Sequence, residues 1–345
     1  MANRDIVAIG ASAGGVDALR SLARELRGDL PASVLVVVHL SNQFPSELDR
    51  ILSESGPLPA SFASHDETLQ RGHIYIAPPE RHLLIERGRI YLGTGPRENH
   101  ARPAIDPLLR SAGVCCGPRS IGVVLTGMLG DGAAGLQAIK QCGGIAVAQD
   151  PADAAYPSMP RTAIARARPD HVLGLAEIPA LLDRLVAQPP GAAQACPGFY
   201  RYEVEIAKDG RADMQANMQA KQIEMDRIGR RPVLACPDCH GVMWEIEDGE
   251  LVRYRCHVGH AYTADMMDVA IDHDLDHALG SALRALEERI MLAQRMHDHA
   301  AESGHNHEKR HWAEKLAEYQ AEADVVRDAI GRFNEIAARK RRDEK

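Results

Sequence analysis

This 345-residue sequence has few aromatic residues (4%), few cysteines (seven) and no excess of positive charge. No stretch reaches the roughly 18 consecutive apolar residues of a membrane-spanning helix, and the opening residues MANRD contain no apolar segment of the signal-peptide type. The formal net charge of −8 argues against a general nucleic-acid binder, which usually carries a basic face. We therefore expect neither membrane insertion nor a nucleic-acid partner.

The cysteines are odd in number and scattered through a long chain. Disulfide frameworks are typical of small secreted domains, so this usage favours a reducing compartment, and we predict a cytoplasmic protein. Cys115, Cys116 and Cys142 lie in apolar or helical settings. We expect these three to be buried free thiols with a packing role.

Apolar, β-branched runs alternate with helical patterns over the first half of the chain. The runs are IVAIG (6–10), VLVVVHL (34–40), IGVVLTG (121–127) and IAVAQ (145–149). Continuous apolar strands separated by amphipathic helices are typical of βαβ units whose sheet is covered on both faces. Segment 73–93 differs, because two β-rich runs joined through Glu86-Arg87-Gly88 predict an antiparallel hairpin. We predict an α/β fold: a doubly wound, mostly parallel sheet with one hairpin beside it.

The pattern changes after Val186. Residues 187–198 are rich in Pro, Gly and Ala, as linkers are, and residues 199–232 are so weakly patterned that we expect little fixed structure there. We divide the chain into an α/β domain (1–187), a linker (188–232), a small cysteine-bearing module (233–265) and a helical tail (266–345). In the tail we predict two helices that break near Ser303-Gly304.

The stretch Gly10-Ala11-Ser12-Ala13-Gly14 follows the first predicted strand and precedes a helical pattern. A dinucleotide-binding loop would have glycine in place of Ser12 and an acid at the end of the second strand, which instead ends in His39. Gly-x-Ser-x-Gly between a strand and a helix is typical of a nucleophile elbow. The alternative is that Ser12 only caps the helix that begins near Gly15.

Two other residues bear on this choice, because a serine hydroxyl needs a base and the base needs an orienting acid. His39 lies at the carboxyl end of the second apolar run, and Asp131 lies just after the third. Taken singly, His39 could be a satisfied core residue and Asp131 a helix cap. All three residues, however, follow predicted parallel strands, where ligand crevices form in open α/β sheets.

Residues 5–187 resemble the catalytic domain of the CheB-type chemotaxis receptor methylesterases. The matching pieces, in chain order, are IGASAGG (9–15), VVVHL (36–40), HIYIAP (73–78), RPAID (102–106), LTGMLGDGAAG (125–135) and Met159-Pro160-Arg161. The resemblance implies hydrolysis of glutamyl γ-methyl esters on chemoreceptors, without a catalytic cofactor. Some members of the family also deamidate glutamine, and the same chemistry could do that here.

Carried over by position, the resemblance makes Ser12 the nucleophile, His39 the general base and Asp131 its orienting acid. Backbone N–H groups of Met128 and Ala13 would form the oxyanion hole. Many relatives carry a regulatory receiver domain before the esterase, whereas here the first predicted strand begins at Asp5. Ala13 also replaces a residue that is often threonine in the family.

A second chemical motif lies in 236–260. Cys236 and Cys239 form a Cys-x2-Cys knuckle, and Cys256 and His260 form a second pair, separated from the first by a hairpin with Asp248-Gly249 as its turn. Four such ligands are typical of a tetrahedral structural zinc site of the ribbon type. We therefore predict a structural zinc ion in a zinc-ribbon-like module at 233–265.

Alternatives remain for this motif and for the whole chain. His257 or His240 could replace His260 as the fourth ligand, and a reactive dithiol at Cys236 and Cys239 would leave the second pair without a role. The alternative function is a signalling scaffold that binds partners through the module and the helical tail. The tail also offers a route to self-association, and we expect its histidine-rich stretch (297–311) to be a solvated face rather than a metal site.

Overall fold

The computed structural model of the protein describes residues 3–39, 46–208, 225–249 and 251–343. It divides into two compact units, Met1–Met267 and Asp268–Lys345. The predicted boundary between the α/β domain and the cysteine-bearing module therefore runs inside one compact unit.

The first unit contains three sheets. Its strands are β1 (Ile6–Ala11), β2 (Ser33–Val38), β3 (Ala60–Phe62), β4 (Ile74–Ile76), β5 (His82–Glu86), β6 (Arg89–Gly93), β7 (Ser120–Val124), β8 (Ile145–Gln149), β9 (His171–Leu173), β10 (Met243–Asp248), β11 (Leu251–Cys256) and β12 (Ala261–Thr263). The main sheet has the order β3-β4-β2-β1-β7-β8-β9, and each neighbouring pair is parallel. The predicted α/β class is confirmed.

Helices cover both faces of this sheet. They are α1 (Gly15–Glu25), α2 (Leu48–Ser55), α3 (Ile105–Cys116), α4 (Ala133–Gln141), α5 (Ser158–Ala167), α6 (Ile178–Ala187) and α7 (Gly198–Lys208). The sequence of strand β1 is continuously apolar because both faces of the strand are buried. Val7 and Ile9 face one buried cluster, whereas Ile6 and Ala8 face another. A strand buried on both faces has no position for a polar side chain.

The predicted hairpin is β5–β6, a two-stranded antiparallel sheet. Its turn consists of Arg87 and Gly88, which both have positive φ (49° and 79°), as a two-residue type I′ turn requires. The first part of segment 73–93 belongs instead to the main sheet as β4.

Part of the region in which we expected little structure is an ordered helix. Tyr200, Glu203 and Val204 on α7 are buried against the rest of the first unit. The helical pattern of this segment is weak because Glu203 is a buried charge in the middle of the helix, where an amphipathic pattern would have an apolar residue. The remainder of that region, 209–224, lies outside the described residues.

The cysteine-bearing module is a three-stranded antiparallel sheet, β10-β11-β12. Its β10–β11 turn begins at Gly249, whose φ is 63°, as the Asp-Gly signal indicated. The predicted C-terminal helices are confirmed as α8 (Ala264–Glu302) and α9 (Asn306–Asp343). Among the described residues, no helix combines the length and apolarity needed to cross a bilayer.

The thiol expectation was wrong for two of the three cysteines. Cys142 is buried but forms a disulfide with Cys196, and the side chain of Cys115 is exposed. Cys116 is half-buried and free, and burial raises its pKa to about 11. Local sequence could not pair Cys142 with Cys196, because the two cysteines are 54 positions apart and strands β8 and β9 and helices α5 and α6 lie between them.

Candidate active site

The site lies where the strand order of the main sheet reverses. The chain runs from β1 outward through β2 to β4 on one side, and then returns to the other side of β1 with β7. Loops at the carboxyl ends of strands on either side of such a reversal separate and leave a crevice. Ser12 follows β1, His39 follows β2 and Asp131 follows β7, so this topology brings the three residues to one edge.

Two glycines determine how Ser12 is presented. Gly14 has a φ of 71°, a left-handed conformation that lets the chain turn sharply into α1. A Cβ on Gly10 would lie 2.1 Å from the Cγ2 atom of Ile105, so only glycine permits β1 to approach α3 this closely. The backbone N–H of Ser12 donates to the carbonyl of Thr126 at 3.0 Å, which ties the turn to the end of β7.

The hydroxyl, the imidazole and the carboxylate form a continuous hydrogen-bonded row. His39 Nδ1 lies 3.2 Å from Ser12 Oγ, and His39 Nε2 lies 2.9 Å from Asp131 Oδ2. Because the carboxylate can only accept, Nε2 carries the proton, and Nδ1 is left as the acceptor for the Ser12 hydroxyl. The row therefore has the tautomer that a general base needs.

Asp131 is almost fully buried (3% exposed). Its Oδ2 accepts the N–H of Ile105 at 2.7 Å, and its Oδ1 accepts the N–H of Asp106 at 3.1 Å. Burial alone would raise the pKa of Asp131, but the hydrogen bonds from His39 and from the Ile105 N–H keep that pKa below its ordinary value. The orienting group is therefore an anion at the N-terminus of α3.

Asp106 lies in the first turn of α3, but its side chain does not cap that helix. Its Oδ1 accepts the backbone N–H groups of Gly132 and Gly135, at 3.0 and 2.7 Å, at the start of α4. Burial, and then the nearby charge of Asp131, raise the pKa of Asp106.

The two expected oxyanion donors lie beside Ser12 and after β7. The neighbours of Met128 already use their N–H groups, since Gly127 donates to the Tyr156 carbonyl at 3.0 Å and Leu129 to Ser158 Oγ at 3.2 Å. Within the described part of the chain, the backbone N–H groups of Met128 and Ala13 donate to no other group. These two N–H groups therefore stay the predicted donors of an oxyanion hole.

A cavity of about 280 Å³ opens beside His39. Its lining combines apolar side chains with several charged ones, namely Val38, His39, Ser46, Phe62, Ala77, Pro79, Glu80, Arg97, His100, Ala101, Arg102 and Pro103. The 97–103 loop supplies five of these twelve lining residues. The cavity is large enough for one side chain of a protein substrate.

The four predicted metal ligands come together in the module. The ligand atoms of Cys236, Cys239, Cys256 and His260 all lie within 4.8 Å of one another. Sγ of Cys239 lies 3.7 Å from Sγ of Cys256, and Nδ1 of His260 lies 3.5 Å from Cys256 Sγ. A tetrahedral zinc ion with Zn–S bonds of about 2.3 Å needs sulfur atoms about 3.7 Å apart, so the cluster fits one.

The alternative fourth ligands lie outside this cluster. Neither His257 nor His240 belongs to a potential metal-ligand group among the described residues. The imidazole of His257 packs against Gly241, where a Cβ would lie 2.0 Å from its Cε1 atom, and His240 is exposed. The four-residue cluster also leaves no role for an isolated dithiol.

Sequence reasoning missed Asn99, which is 6% exposed. Its side-chain Nδ2 donates to Asp131 Oδ1 at 2.9 Å and to Asp106 Oδ2 at 3.0 Å. The only local signal was a polar Glu-Asn-His run just before the RPAID motif, which does not reveal a contact with a residue 32 positions away.

A buried ionic network was missed as well. Glu98 and Glu203 lie between Arg110 of α3 and Arg253 and Arg255 of β11, with ion-pair distances from 2.8 to 3.2 Å. All five side chains are at most 5% exposed. The network joins the α/β part, α7 and the cysteine-bearing module into one unit.

Comparisons with known proteins agree with this geometry. A family model described as CheB methylesterase matches residues 7–182. A putative protein-glutamate methylesterase/protein-glutamine glutaminase of Leptospira interrogans is 38% identical over 184 residues, which cover 53% of this chain and 95% of that protein. The protein-glutamate methylesterase FrzG of Myxococcus xanthus is 42% identical over 178 residues, covering 51% of this chain and 53% of FrzG.

A solved structure is similar too. The crystal structure of the Thermotoga maritima CheB methylesterase catalytic domain matches with a TM-score of 0.51 at 32% identity, covering 54% of this chain and all of that one. These matches cover about half of the chain.

Proposed function

This chain belongs to the CheB methylesterase family, and we propose that it hydrolyses glutamyl γ-methyl esters on a chemoreceptor-type protein through Ser12, His39 and Asp131. The observation that carries the proposal is the continuous row from Ser12 Oγ through His39 to Asp131, with separations of 3.2 and 2.9 Å. The names of the relatives indicate the substrate class, a methyl ester of protein glutamate. The hydrogen-bonded row provides the nucleophile, the base and the orienting acid that hydrolysis of an ester needs.

In the first half of the reaction, Ser12 Oγ attacks the ester carbonyl carbon while His39 Nδ1 takes the hydroxyl proton. The carbonyl oxygen, on which negative charge develops, accepts hydrogen bonds from the N–H groups of Met128 and Ala13. Asp131 stabilises the positive charge that forms on the imidazole. His39 then returns the proton to the departing methoxy oxygen, so methanol leaves and an acyl-enzyme remains.

In the second half, a water molecule attacks the acyl carbon while His39 takes one of its protons. The C–O bond to Ser12 breaks, the proton passes to Ser12 Oγ, and the glutamate side chain is released. Glutamine can follow the same path with ammonia as the leaving group. Ammonia release from receptor glutamines tests that activity separately from methanol release.

Labelling by a fluorophosphonate tests the nucleophile, because the reagent bonds only to a serine activated by a base. We expect wild-type protein to be labelled and to release methanol from methylated receptor preparations, and Ser12→Ala to do neither. Ser53→Ala, which changes an exposed serine on α2, should retain both. Labelling that persists in Ser12→Ala would refute the assignment.

The scaffold alternative is not favoured. It gives no reason for a base, an orienting anion and two unused backbone donors to surround one hydroxyl, and the comparisons match enzymes. Methanol release that is unchanged in Ser12→Ala would bring the scaffold function back.

We also propose that the Cys236, Cys239, Cys256 and His260 cluster holds a structural zinc ion. The spacing of the ligand atoms supports zinc, and so does the small core of a three-stranded sheet, for which metal binding provides on the order of 10 kcal/mol of folding free energy. Purified protein should contain about one zinc per chain.

Cys236→Ser should lose most of this zinc, whereas His240→Asn, a change at a neighbouring exposed residue, should keep it. Full zinc content in Cys236→Ser would refute the ligand set. Zinc binding needs three reduced thiols, which also supports our assignment of the protein to the cytoplasm. Thiol labelling of a cell extract can check this assignment by comparing these three cysteines with Cys142 and Cys196, which form a disulfide.

For the second compact unit we propose self-association. Its helices expose large apolar side chains, among them Leu275 (46%), Val325 (70%) and Ile336 (57%). An exposed apolar stripe on a helix pair is stabilised when a second copy covers it. Light scattering should give twice the chain mass, and Val325→Glu should return the protein to a monomer; an unchanged mass would refute this interface.

A further inference from the structure

We propose that Asn99 is a positioning residue for Asp131 and that the metal-binding module holds Asn99 in place, so that metal occupancy sets the rate of hydrolysis. The proposal rests on the function proposed above and concerns a residue that touches the orienting carboxylate rather than the substrate. Its basis is a short chain of contacts from the metal ligands to the active site.

The side-chain amide of Asn99 makes three hydrogen bonds, two as a donor and one as an acceptor. Both Nδ2 protons go to carboxylates, one to Asp131 and one to Asp106, and Oδ1 accepts the backbone N–H of Thr263 at 3.1 Å. The opposite amide orientation would place an oxygen against two carboxylates and an NH2 group against an N–H. The chemistry of the neighbours therefore determines the amide orientation.

Asn99 lies in the 98–101 loop, whose backbone has an unusual conformation. Asn99 and His100 both have positive φ, at 50° and 60°. Positive φ at both central residues is typical of a two-residue type I′ turn, and the backbones of Glu98 and Ala101 close this turn with reciprocal hydrogen bonds of 3.2 and 2.9 Å. The shape of the 98–101 loop is therefore set locally, but its placement with the Asn99 side chain against Asp131 needs support from outside the turn.

The module provides that support. The N–H of Asn99 donates to the carbonyl of Ala261 at 2.8 Å, in addition to the bond from Thr263 to its side chain. On either side of Asn99, Glu98 pairs with Arg255 at 3.2 Å and His100 lies 3.5 Å from Asp238.

The residues of the module that contact the 98–101 loop are neighbours of the proposed metal ligands. His260 is a proposed ligand and directly precedes Ala261, the first residue of β12, which ends at Thr263. Asp238 lies between the ligands Cys236 and Cys239, and its carboxylate also accepts the hydroxyl of Tyr262. A metal ion that holds the four ligands in place thus also holds the two segments that contact the 98–101 loop, namely 236–239 and 260–263.

Loss of the metal should therefore disturb the hydrogen-bonded row of Ser12, His39 and Asp131. A small module without its ion loses most of its folding free energy, which releases β12 and the Cys-x2-Cys knuckle from the 98–101 loop. Asp131 then loses the Asn99 hydrogen bond and keeps only backbone N–H donors besides His39, so the orientation of its carboxylate relative to His39 should change. Misplacement of a catalytic group by about 1 Å can lower the rate by about 100-fold.

The experiment uses the full-length protein with three measurements: metal content, kcat and KM for methanol release, and the 15N chemical shifts of the His39 ring, assigned with His39→Gln. Chelation should lower kcat by roughly 10-fold to 100-fold with KM changed less than about twofold. It should also turn the single Nε2-protonated form of His39 into a mixture of tautomers. Zinc should restore both.

Asn99→Ala should retain its metal and show the same fall in kcat and the same mixed tautomer, and chelation should add less than about twofold to that fall. This variant carries the test even if the metal-free protein unfolds. His240→Asn should match wild type in all three measurements.

Wild-type kcat and a single tautomer in the chelated protein or in Asn99→Ala would overturn the proposal. A wild-type protein that releases no methanol would instead refute the proposed function, while the tautomer measurement would still report on Asn99.

Discussion

Asp131 binds the N-terminus of α3, the helix that carries Asp106, and Asp106 binds the N-terminus of α4, the helix that follows Asp131. Asp131 accepts two N–H groups at the start of α3, and Asp106 accepts two at the start of α4. Asp131 thereby stabilises α3, which carries Asp106, and Asp106 stabilises α4, which begins just after Asp131. The orienting acid of the active site is fixed by the packing of α3 against α4, rather than by its own loop alone.

Asp131→Asn should preserve the fold yet lower kcat by about 10⁴-fold with a small change in KM. The asparagine would present either an NH2 group to His39 Nε2 or a weaker acceptor, so the imidazole would adopt the wrong tautomer. Circular dichroism checks the fold, and methanol release checks the rate. Asp17→Asn, at an exposed acid in the first turn of α1, is the matched control, and equal rates for the two variants would contradict the triad.

Gly127→Ala should lower kcat by roughly 10-fold to 100-fold through displacement of the nucleophile. A Cβ on Gly127 would lie 2.9 Å from the Cβ of Ser12 and 2.6 Å from the Cε of Met159. The Met159 side chain can move away, whereas Ser12 is held by its turn. Gly191→Ala, at a position with nothing within 4 Å, should have no effect, and an undiminished rate of fluorophosphonate labelling in Gly127→Ala would show that Ser12 had not moved.

Glu203→Gln should destabilise the first compact unit by about 3–5 kcal/mol at pH 7, because it leaves buried arginines without a counter-charge. Glu205→Gln on the same helix removes an exposed carboxylate (66% exposed) and should cost less than about 1 kcal/mol. Urea denaturation of the two variants provides the comparison. Equal midpoints would mean that the buried network does not hold the unit together.

The same pair of variants predicts a pH dependence. Burial opposes ionisation of Glu203, but Arg110, Arg253 and Arg255 together lower its pKa to about 2, from an ordinary value of 4.5. Because the folded-state pKa is depressed, this stabilisation is complete above about pH 4.5 and is lost as the pH falls towards 2. The stability difference between wild type and Glu203→Gln should therefore shrink between pH 5 and pH 3, and a constant difference would contradict the assigned pKa.

Several features followed from the sequence by itself. The continuous apolar strands required a sheet buried on both faces, and the Asp248-Gly249 signal placed the hairpin turn of the module. Gly10, Ser12 and Gly14 predicted a tight strand-to-helix turn. These features depend on residues that are close in sequence, so local pattern carries them.

Tertiary structure alone decided the rest. Asn99 meets Asp131 across 32 residues, Glu98 meets Arg255 across 157, and Cys142 meets Cys196 across 54. The weak pattern of 199–232 also concealed α7, since a buried charge such as Glu203 has a suitable partner only after distant elements have packed. A polar residue in a loop has the same local pattern whether it faces solvent or holds a catalytic carboxylate, and only the folded chain distinguishes the two, because burial and hydrogen-bond partners are properties of the packed elements.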